Sequence, residues 1–353
     1  MNQKLTGKQY TLLASMLFGM FFGAGNLIFP IILGAKAGAS LVPALLGMLI
    51  TAVGMPLLGI VALGVSRSSG LMQMSGRVAK WYSYFFTCAL YLTIGPFFAI
   101  PRCAATSFTM GIAPLVSGSH TVPQAIFTTL FFAAVLFFAL RPNNIMNSIG
   151  KYLNPIFLIC LGILVVAALL DPIQSVGSVA ASGAYADNAF STGFLQGYDT
   201  LDALASLAFG IIVVNVIKEM GVEEPGAIAK NTIKSGVFSM VLMTVIYALI
   251  AIVGAQSYGL YADQLGEPSF NGGNAFAIVA QHYLGKAGMI VLALTVTFCC
   301  MKTAIGLVTA CADTFSVMFP RSLSYRSWAI VFTAFSLLVS NIGLSKIISF
   351  SAP

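Results

Sequence analysis

The chain has 353 residues, of which 58% are hydrophobic and only 8% are charged, and its mean hydropathy is +0.94. A soluble domain carries about 25% charged residues, so the charges present cannot cover a water-exposed surface, which argues against a cytosolic enzyme, a nucleic-acid binder and a disordered chain. The composition predicts an integral membrane protein, in which the net charge of +7 reports topology rather than affinity for nucleic acid.

Nine segments are apolar and long enough to cross the hydrocarbon core of a bilayer, which takes about 20 helical residues. The predicted spans are Tyr10–Leu33, Leu41–Val65, Trp81–Met110, Pro123–Leu140, Tyr152–Leu170, Leu201–Ile217, Ile233–Ala255, Ala287–Phe315 and Trp328–Ile342. A tenth span begins near Leu344 and is too short to cross before Pro353, which we interpret as the truncation of a longer protein. We therefore expect an all-α polytopic membrane protein with a single domain over residues 1–353.

The positively charged residues predict the orientation of these spans, because Lys and Arg are enriched in loops on the cytoplasmic side. With the N-terminus inside, twelve of these residues fall on the cytoplasmic side and three on the outer side, namely Lys36, Lys286 and Lys346. The polar loops Asp171–Gly197 and Ser257–Asn274 then lie outside. A multi-pass protein with its N-terminus in the cytoplasm is expected.

Two spans are interrupted by glycine at corresponding places. The first contains the stretch Phe22–Asn26, followed by Pro30, and the sixth contains Phe209–Gly210 after the polar stretch Gly197–Asp202. Small residues in one membrane helix are equally explained by close helix packing. Breaks at matching positions of two halves, however, indicate a transporter built from inverted repeats, with its binding site between them.

A break at mid-membrane exposes free N–H groups on one half-helix and free C=O groups on the other. Free amides and the positive end of a helix dipole attract a carboxylate, and free carbonyls accept hydrogen bonds from an ammonium group or coordinate a cation. A small amino acid matches both requirements. An apolar wall that favours aliphatic side chains is predicted from Phe22, Ile94, Phe97, Phe209 and Ile305.

Three motifs carry a resemblance to a known family, and they are Phe22–Pro30, Thr93–Arg102 and Lys302–Leu307. They closely resemble those of the bacterial branched-chain amino acid:cation symporters. The resemblance implies a leucine-transporter-like fold with discontinuous first and sixth helices and inverted five-helix repeats over about 10–170 and 198–353, the second incomplete. It also implies alternating-access import of leucine, isoleucine and valine across the bacterial cytoplasmic membrane, with Na⁺ or H⁺ as the coupling ion. No cofactor, transition metal, nucleic acid or obligate protein partner is expected.

The resemblance also implies roles for individual residues. Amides of Ala24 and Gly25 are expected to bind the substrate carboxylate, and carbonyls near Ala203 and Leu204 to face its ammonium group. The full predicted substrate site consists of Gly23, Ala24, Gly25, Asn26, Tyr91, Ala203, Leu204, Ser206, Phe209 and Gly210. The predicted cation site consists of Gly19, Phe21, Phe22, Asn26, Lys302 and Thr303, in which Thr303 matches a cation ligand and Lys302 does not.

Lys302 lies at the middle of an apolar span, where a charged side chain costs about 2.5–3.5 kcal/mol to insert. One hypothesis is that its ammonium group occupies a sodium site and serves as the exchanging group of sodium-independent or proton-coupled transport. In the alternatives, Lys302 points toward the cytoplasmic cavity, or Thr303 and a neighbour still bind sodium.

Two further charged residues lie near the predicted site. Arg102 either gates the outer vestibule by pairing with Asp199 or Asp202, or snorkels to the outer interface. Asp202 either contributes to a cation site or a gate, or caps the sixth helix, and capping is the simpler interpretation.

Other protein classes remain as alternatives to a symporter. An amino-acid channel would need a continuous polar lining, whereas the polar residues here are sparse. An exchanger of different specificity is also open. An intramembrane enzyme is disfavoured, because the sequence lacks Gly-x-Gly-Asp, His-Glu-x-x-His and Gly-x-Ser-x-Gly motifs.

Overall fold

The structure is a computed structural model that describes residues 5–66, 68, 70–141 and 154–351. The described residues form helices and connecting loops without strands, which confirms the all-α class. In chain order the α-helices are α1 (Gly7–Phe21), α2 (Ala24–Ala37), α3 (Leu41–Leu49), α4 (Met55–Ser66), α5 (Leu71–Gly76), α6 (Lys80–Leu92), α7 (Ala99–Ser107), α8 (Thr121–Ala139), α9 (Asn154–Leu170), α10 (Ala184–Tyr198), α11 (Asp202–Glu219), α12 (Pro225–Gln256), α13 (Gly272–Met318), α14 (Tyr325–Ser340) and α15 (Leu344–Ser351).

The first predicted span is broken where the glycine cluster predicts. Helix α1 ends at Phe21, and α2 begins at Ala24 with Gly23 in an extended conformation before it. The N–H of Gly23 donates to Asn26 Oδ1 at 2.8 Å, which ties the break to the first turn of α2. Pro30 lies inside α2 and does not end it.

The sixth predicted span, Leu201–Ile217, is continuous from Asp202, and the second helix break lies at its N-terminal end. The break separates α10 from α11 and contains Leu201 in a left-handed conformation, with φ of 66°. Phe209 and Gly210 lie inside α11, so the break predicted at these residues is wrong. Adding a Cβ to Gly210 would bring it within 2.6 Å of Leu63 Cδ1, so this glycine serves packing against α4.

The loop predicted over Asp171–Gly197 contains helix α10, so this prediction is wrong for most of its second half. Helix α10 packs closely on α3 through small residues. A Cβ on Gly193 would lie 1.9 Å from the carbonyl oxygen of Ala44, and a Cβ on Gly197 would lie 2.4 Å from that of Met48. The helix escapes detection by hydropathy because backbone-to-backbone packing selects small residues rather than large apolar ones.

The number of spans stays a prediction. Within the described residues, six helices are long and apolar enough to cross a membrane, or seven if α14 and α15, bent by 108°, form one span. One of the six helices, Ala24–Ser66, contains both the second half of the first predicted span and the whole second predicted span. The helix Phe157–Leu170 is apolar but shorter than these six. The predicted span start Tyr152 and the charged residues Lys4, Arg67 and Lys151 lie outside the described residues.

Candidate functional site

The two helix breaks meet at one small cavity, which we call the break cavity. Its volume is about 20 Å³, enough for about one water molecule. Its lining comes from both breaks and from α7 and α13, and includes Phe21, Gly23, Ala24, Gly25, Asn26, Arg102, Cys103, Thr200, Asp202, Ala205, Phe209, Thr303 and Leu307. Most of the predicted site residues from the first span therefore lie together.

The lining face of α11 differs from the predicted one. Asp202, Ala205 and Phe209 line the cavity, because residues at i, i+3 and i+7 share one face of a helix. Ser206 lies on the neighbouring face, where a Cβ on Gly59 of α4 would approach its Oγ to 2.0 Å. Ser206 and Gly210 thus contact α4 rather than the cavity, and their predicted placement at the site is wrong.

Other predicted residues also lie away from the break cavity. Tyr91 is on α6 and lines a different, larger cavity. Phe97 packs against Phe335 of α14, with the rings tilted by 54° and their centroids 5.5 Å apart, so it does not supply the predicted apolar wall. Phe22, Ile94 and Ile305 are buried in the core but do not line the cavity, whose apolar lining includes Phe209 and Leu307.

Asn26, Asp202 and Tyr247 form a buried hydrogen-bonded triangle beside the cavity. Asn26 Nδ2 donates to Asp202 Oδ2 at 2.5 Å and also to the hydroxyl of Tyr247, which in turn donates to Asp202 Oδ2 at 3.0 Å. The side chain of Asp202 therefore does not cap α11, and that interpretation is wrong. Tyr247 was missed, and its only signal was a phenol within an apolar span.

Arg102 joins α7 to the link between α10 and α11. Its Nη1 donates to the carbonyl of Asp199 at 2.7 Å and its Nη2 to that of Thr200 at 2.8 Å. The side chain is only 2% exposed and its guanidinium lies 5.4 Å from the ring centroid of Phe29. The snorkelling alternative is wrong. Arg102 bonds the backbone carbonyls of Asp199 and Thr200 rather than the predicted carboxylates, and its role as a gate stays a prediction.

Glycine at position 25 permits α2 to approach Arg102 and the α10–α11 link closely. A Cβ at Gly25 would lie 3.0 Å from Arg102 Nη2 and 3.2 Å from the carbonyl oxygen of Thr200. The first turn of α2 thus touches both the arginine and the link that it holds. The N–H groups of this turn have no acceptor within their own helix and point toward the same region.

Thr303 stands next to two carbonyls of the first break. Its hydroxyl Oγ1 is 3.4 Å from the carbonyl oxygen of Met20 and 3.5 Å from that of Phe22, which also accepts from Cys299 Sγ at 3.1 Å. Hydroxyl and carbonyl oxygens are the ligands that hard cations prefer. The chemistry of this group therefore fits the predicted cation site, with Met20 in place of Gly19.

Lys302 points away from Thr303 and from both cavities. Its Nζ donates to Asn154 Oδ1 at the start of α9, and it lies 4.9 Å from the ring centroid of Phe157 and 5.8 Å from that of Phe18. Only 1% of the side chain is exposed, so the alternative in which it faces a cytoplasmic cavity is wrong. Among the described residues no carboxylate pairs with it.

Asn154 extends this contact to the first helix. Its Nδ2 donates to the carbonyl oxygen and, at 3.3 Å, to the hydroxyl of Ser15 on α1. Gly19 lies directly against Asn154, since a Cβ there would come within 2.4 Å of Asn154 Oδ1. Three helices, α1, α9 and α13, thus meet at one buried ammonium group.

A second, larger cavity of about 1230 Å³ lies at the end of the molecule where α1 begins. We call it the large cavity, and its lining includes Leu13, Met16, Leu71, Lys80, Tyr91, Ile212, Glu219, Thr309, Asp313 and Tyr325. Phe21 and Phe209 line the break cavity but not the large cavity, and their rings are edge to face with centroids 5.5 Å apart. The molecule is thus open on one side of the helix breaks and closed by Arg102 at the breaks themselves.

The chain is similar to known transport proteins over nearly its whole length. A family model described as "Branched-chain amino acid transport protein" matches residues 6–353. Branched-chain amino acid permease BrnQ of Lactobacillus delbrueckii subsp. lactis is 51% identical over 358 residues, which cover 100% of this chain and 78% of the permease. The BrnQ permeases of Bacillus subtilis (strain 168) and Escherichia coli (strain K12) are 41% and 38% identical, with 79% and 78% of their lengths covered.

A solved structure supports the fold. MhsT in complex with L-phenylalanine superposes with a TM-score of 0.67 and 18% sequence identity, over 99% of this chain and 81% of MhsT. At this identity the likeness concerns the fold alone. The chain therefore shares the leucine-transporter-like overall fold of MhsT.

Proposed function

The chain belongs to the branched-chain amino acid transport protein family, and we propose that it is a secondary active transporter that imports leucine, isoleucine and valine across the bacterial cytoplasmic membrane. The family consists of transport proteins, not enzymes, so an intramembrane enzyme is set aside. The observation that carries the proposal is the meeting of two helix breaks at one cavity, which offers polar backbone groups to a small ligand at mid-membrane.

The carboxylate of the substrate binds at the first turn of α2. Backbone N–H groups of Ala24 and Gly25 lie at the positive end of this helix, where anions are favoured. The aliphatic side chain lies toward Ala205, Phe209 and Leu307, which give the cavity its apolar surface. An apolar wall of this kind favours branched-chain amino acids over polar ones.

Transport proceeds by alternating access between two inverted repeats, over about residues 10–170 and 198–353. With the predicted orientation, the large cavity opens to the cytoplasm and Arg102 seals the outer side, so the described conformation corresponds to the inward-facing state. Outward opening then requires Arg102 to release the carbonyls of Asp199 and Thr200, and the Phe21–Phe209 pair to remain closed.

Coupling to a cation takes one of two forms. In the first, the ammonium group of Lys302 acts as the exchanging group, and its bond to Asn154 joins α13 to α9 and, through Ser15, to α1. In the second, Thr303 and the carbonyls of Met20 and Phe22 hold Na⁺. Either ion drives uptake only if it binds one orientation of the carrier better than the other.

Uptake of labelled isoleucine by purified protein in liposomes tests the proposal. An imposed Na⁺ gradient is compared with a pH gradient in sodium-free buffer, for the wild type, for Lys302→Thr and for Lys286→Thr, which removes an exposed lysine as a control. We expect saturable uptake that either leucine or valine inhibits, and counterflow when the liposomes are preloaded with unlabelled isoleucine.

Each outcome distinguishes the alternatives. If the pH gradient drives uptake and Lys302→Thr abolishes it while Lys286→Thr does not, Lys302 is the coupling group. Uptake that Na⁺ alone drives assigns the coupling ion to Thr303 and its carbonyls. Non-saturable flux without counterflow indicates a channel, and accumulation under neither gradient overturns the proposal of a coupled carrier.

A further inference from the structure

The carbonyls expected to receive the substrate ammonium group are already engaged. Ala203 and Leu204 lie in the first turn of α11, where carbonyls accept the N–H groups four residues on. The carbonyl of Ala203 also accepts from Ser206 Oγ at 2.7 Å. The carbonyls that the break does release, of Asp199 and Thr200, accept from Arg102. The α10–α11 break therefore leaves no free carbonyl of its own for an ammonium group in the break cavity.

Asp202 presents a carboxylate to the break cavity. It lines the cavity and is 4% exposed. Its Oδ2 accepts from Asn26 and Tyr247, and the side chain of Thr200 also lies within reach of the carboxylate. None of the described Lys, Arg or His side chains forms an ion pair with it. The guanidinium of Arg102 lines the same cavity and attracts this carboxylate, but its hydrogen bonds go to the carbonyls of Asp199 and Thr200. Burying a carboxylate is costly, and a positively charged ligand in direct contact with Asp202 lowers that cost.

Groups that favour an anion surround the same cavity. The N-terminus of α2, a helix of 14 residues, contributes Ala24 and Gly25 to the lining. Arg102 contributes a guanidinium whose Nε is buried and has no hydrogen-bond partner among the residues that the structure describes. A zwitterion engages both kinds of group at once. A proton or a metal cation would neutralise Asp202 but leave the amides and the arginine without an anion.

We infer that the carboxylate of Asp202 receives the α-ammonium group of the transported amino acid and thereby selects amino acids over carboxylic acids of the same carbon skeleton. This inference rests on the proposed function and adds an acceptor that the α10–α11 break does not supply. Asn26 and Tyr247 are positioning residues, because they hold the carboxylate through Oδ2 at the edge of the cavity. The substrate enters once Arg102 and the α10–α11 link move apart, since the described cavity of about 20 Å³ is too small for it.

Equilibrium binding tests the inference without requiring transport. Labelled leucine is bound to purified protein in nanodiscs, and unlabelled leucine competes with 4-methyl-2-oxopentanoate, which has the same skeleton but no amine. The variants are Asp202→Asn, Asp202→Glu and, as a matched control, Asp263→Asn, which makes the same change at an exposed carboxylate. Size-exclusion chromatography and thermal unfolding verify that each variant is folded.

We expect Asp202→Asn to lose affinity for leucine but not for the oxo acid. Removal of one partner of a buried charged pair lowers affinity by about 30-fold or more, so Asp202→Asn should weaken leucine binding by at least this factor and leave the affinity for the oxo acid unchanged. Asp202→Glu should retain a preference for leucine over the oxo acid, and Asp263→Asn should match the wild type. If Asp202→Asn does not fold, Asp202→Glu alone still tests the inference, because a carboxylate displaced by one methylene should lower leucine affinity but not oxo-acid affinity.

Three results would overturn the inference. One is unchanged leucine affinity in Asp202→Asn, another is an equal loss for leucine and the oxo acid, and the third is retained leucine binding with loss of Na⁺- or pH-driven uptake, which would make Asp202 a coupling residue. Failure of the proposed function is distinguishable from all three, because the wild type itself would then bind no labelled leucine.

Discussion

Lys302 Nζ donates a hydrogen bond to Asn154 Oδ1, and this contact joins two helices whose residues are far apart in the chain. Asn154 is the first residue of α9 and also bonds Ser15 of α1. A buried ammonium group is thus satisfied by a neutral amide and by the faces of two phenylalanine rings. Among the described residues no carboxylate neutralises this ammonium group. The free energy of burying it therefore depends strongly on the position of one asparagine.

The two partners of this contact should differ in their effect on stability. Asn154→Leu leaves the ammonium group buried without an acceptor and should cost about 3–5 kcal/mol, as uncompensated buried charges do. Lys302→Met removes the charge and leaves only a polar amide to be satisfied, so it should cost about 1–3 kcal/mol. Denaturant unfolding in detergent measures both, and the double variant should be more stable than Asn154→Leu alone. Equal losses, or strictly additive ones, would contradict this account.

Arg102 should control access to the break cavity from the outer side. Arg102→Ala removes two hydrogen bonds from a charged group, each worth about 1.5–3 kcal/mol, so the closed arrangement should open at least tenfold more often. Cys103, which is buried beside Arg102, reports the opening through its reaction with a membrane-impermeant maleimide. The experiment requires replacement of Cys88, Cys160, Cys299, Cys300 and Cys311.

The control for this measurement is Arg321→Ala, which removes an exposed cation. It should leave the labelling rate of Cys103 unchanged. Arg102→Lys should resemble Arg102→Ala more than the wild type, because an ammonium group lacks the planar fork that reaches two adjacent carbonyls. Slow labelling in Arg102→Ala would show that other contacts hold the outer side closed.

The aromatic pair Phe21–Phe209 should separate the break cavity from the large cavity. Phe209→Ala removes an edge-to-face contact worth about 0.5–1.5 kcal/mol beyond the buried area, together with part of the apolar wall. We expect leucine to dissociate about tenfold faster, which stopped-flow displacement of a bound ligand measures. Phe238→Ala, at a phenylalanine that is 61% exposed on α12, should leave the dissociation rate unchanged. Similar rates in both variants would remove Phe209 from this role.

Helix packing through glycine should be intolerant of a single methyl group. In Gly193→Ala the new Cβ would lie 1.9 Å from the carbonyl oxygen of Ala44, so α10 and α3 must separate, at a cost of about 1–3 kcal/mol. Gly162→Ala is the matched control on α9, because nothing lies within 4 Å of its Cβ. It should be neutral or stabilising by up to about 1 kcal/mol, since alanine favours helix. Thermal unfolding compares the two, and a stable Gly193→Ala would contradict the packing described.

Hydrophobicity along the chain was sufficient to predict the membrane class, most helices and the break in the first span. Long apolar runs have few alternatives to helix in a bilayer, and the Phe22–Asn26 stretch combines glycines with a side chain that can cap the following helix. Helix α10 was missed, because its residues contact another backbone rather than lipid, so small and polar residues replace apolar ones there. The resemblance to a known family led to Ser206 and Gly210, each one position away from the face of α11 that lines the cavity.

Composition and motif order thus determined the membrane class of this chain and the break in its first span. The contacts of its buried polar groups were decided by tertiary structure alone. Asn26 meets Asp202 and Tyr247 across 176 and 221 positions, and Lys302 meets Asn154 across 148. Such partners have no local signal, because a buried charge or amide is satisfied by whichever group the packed helices bring within hydrogen-bond distance, and helix packing depends on the whole chain.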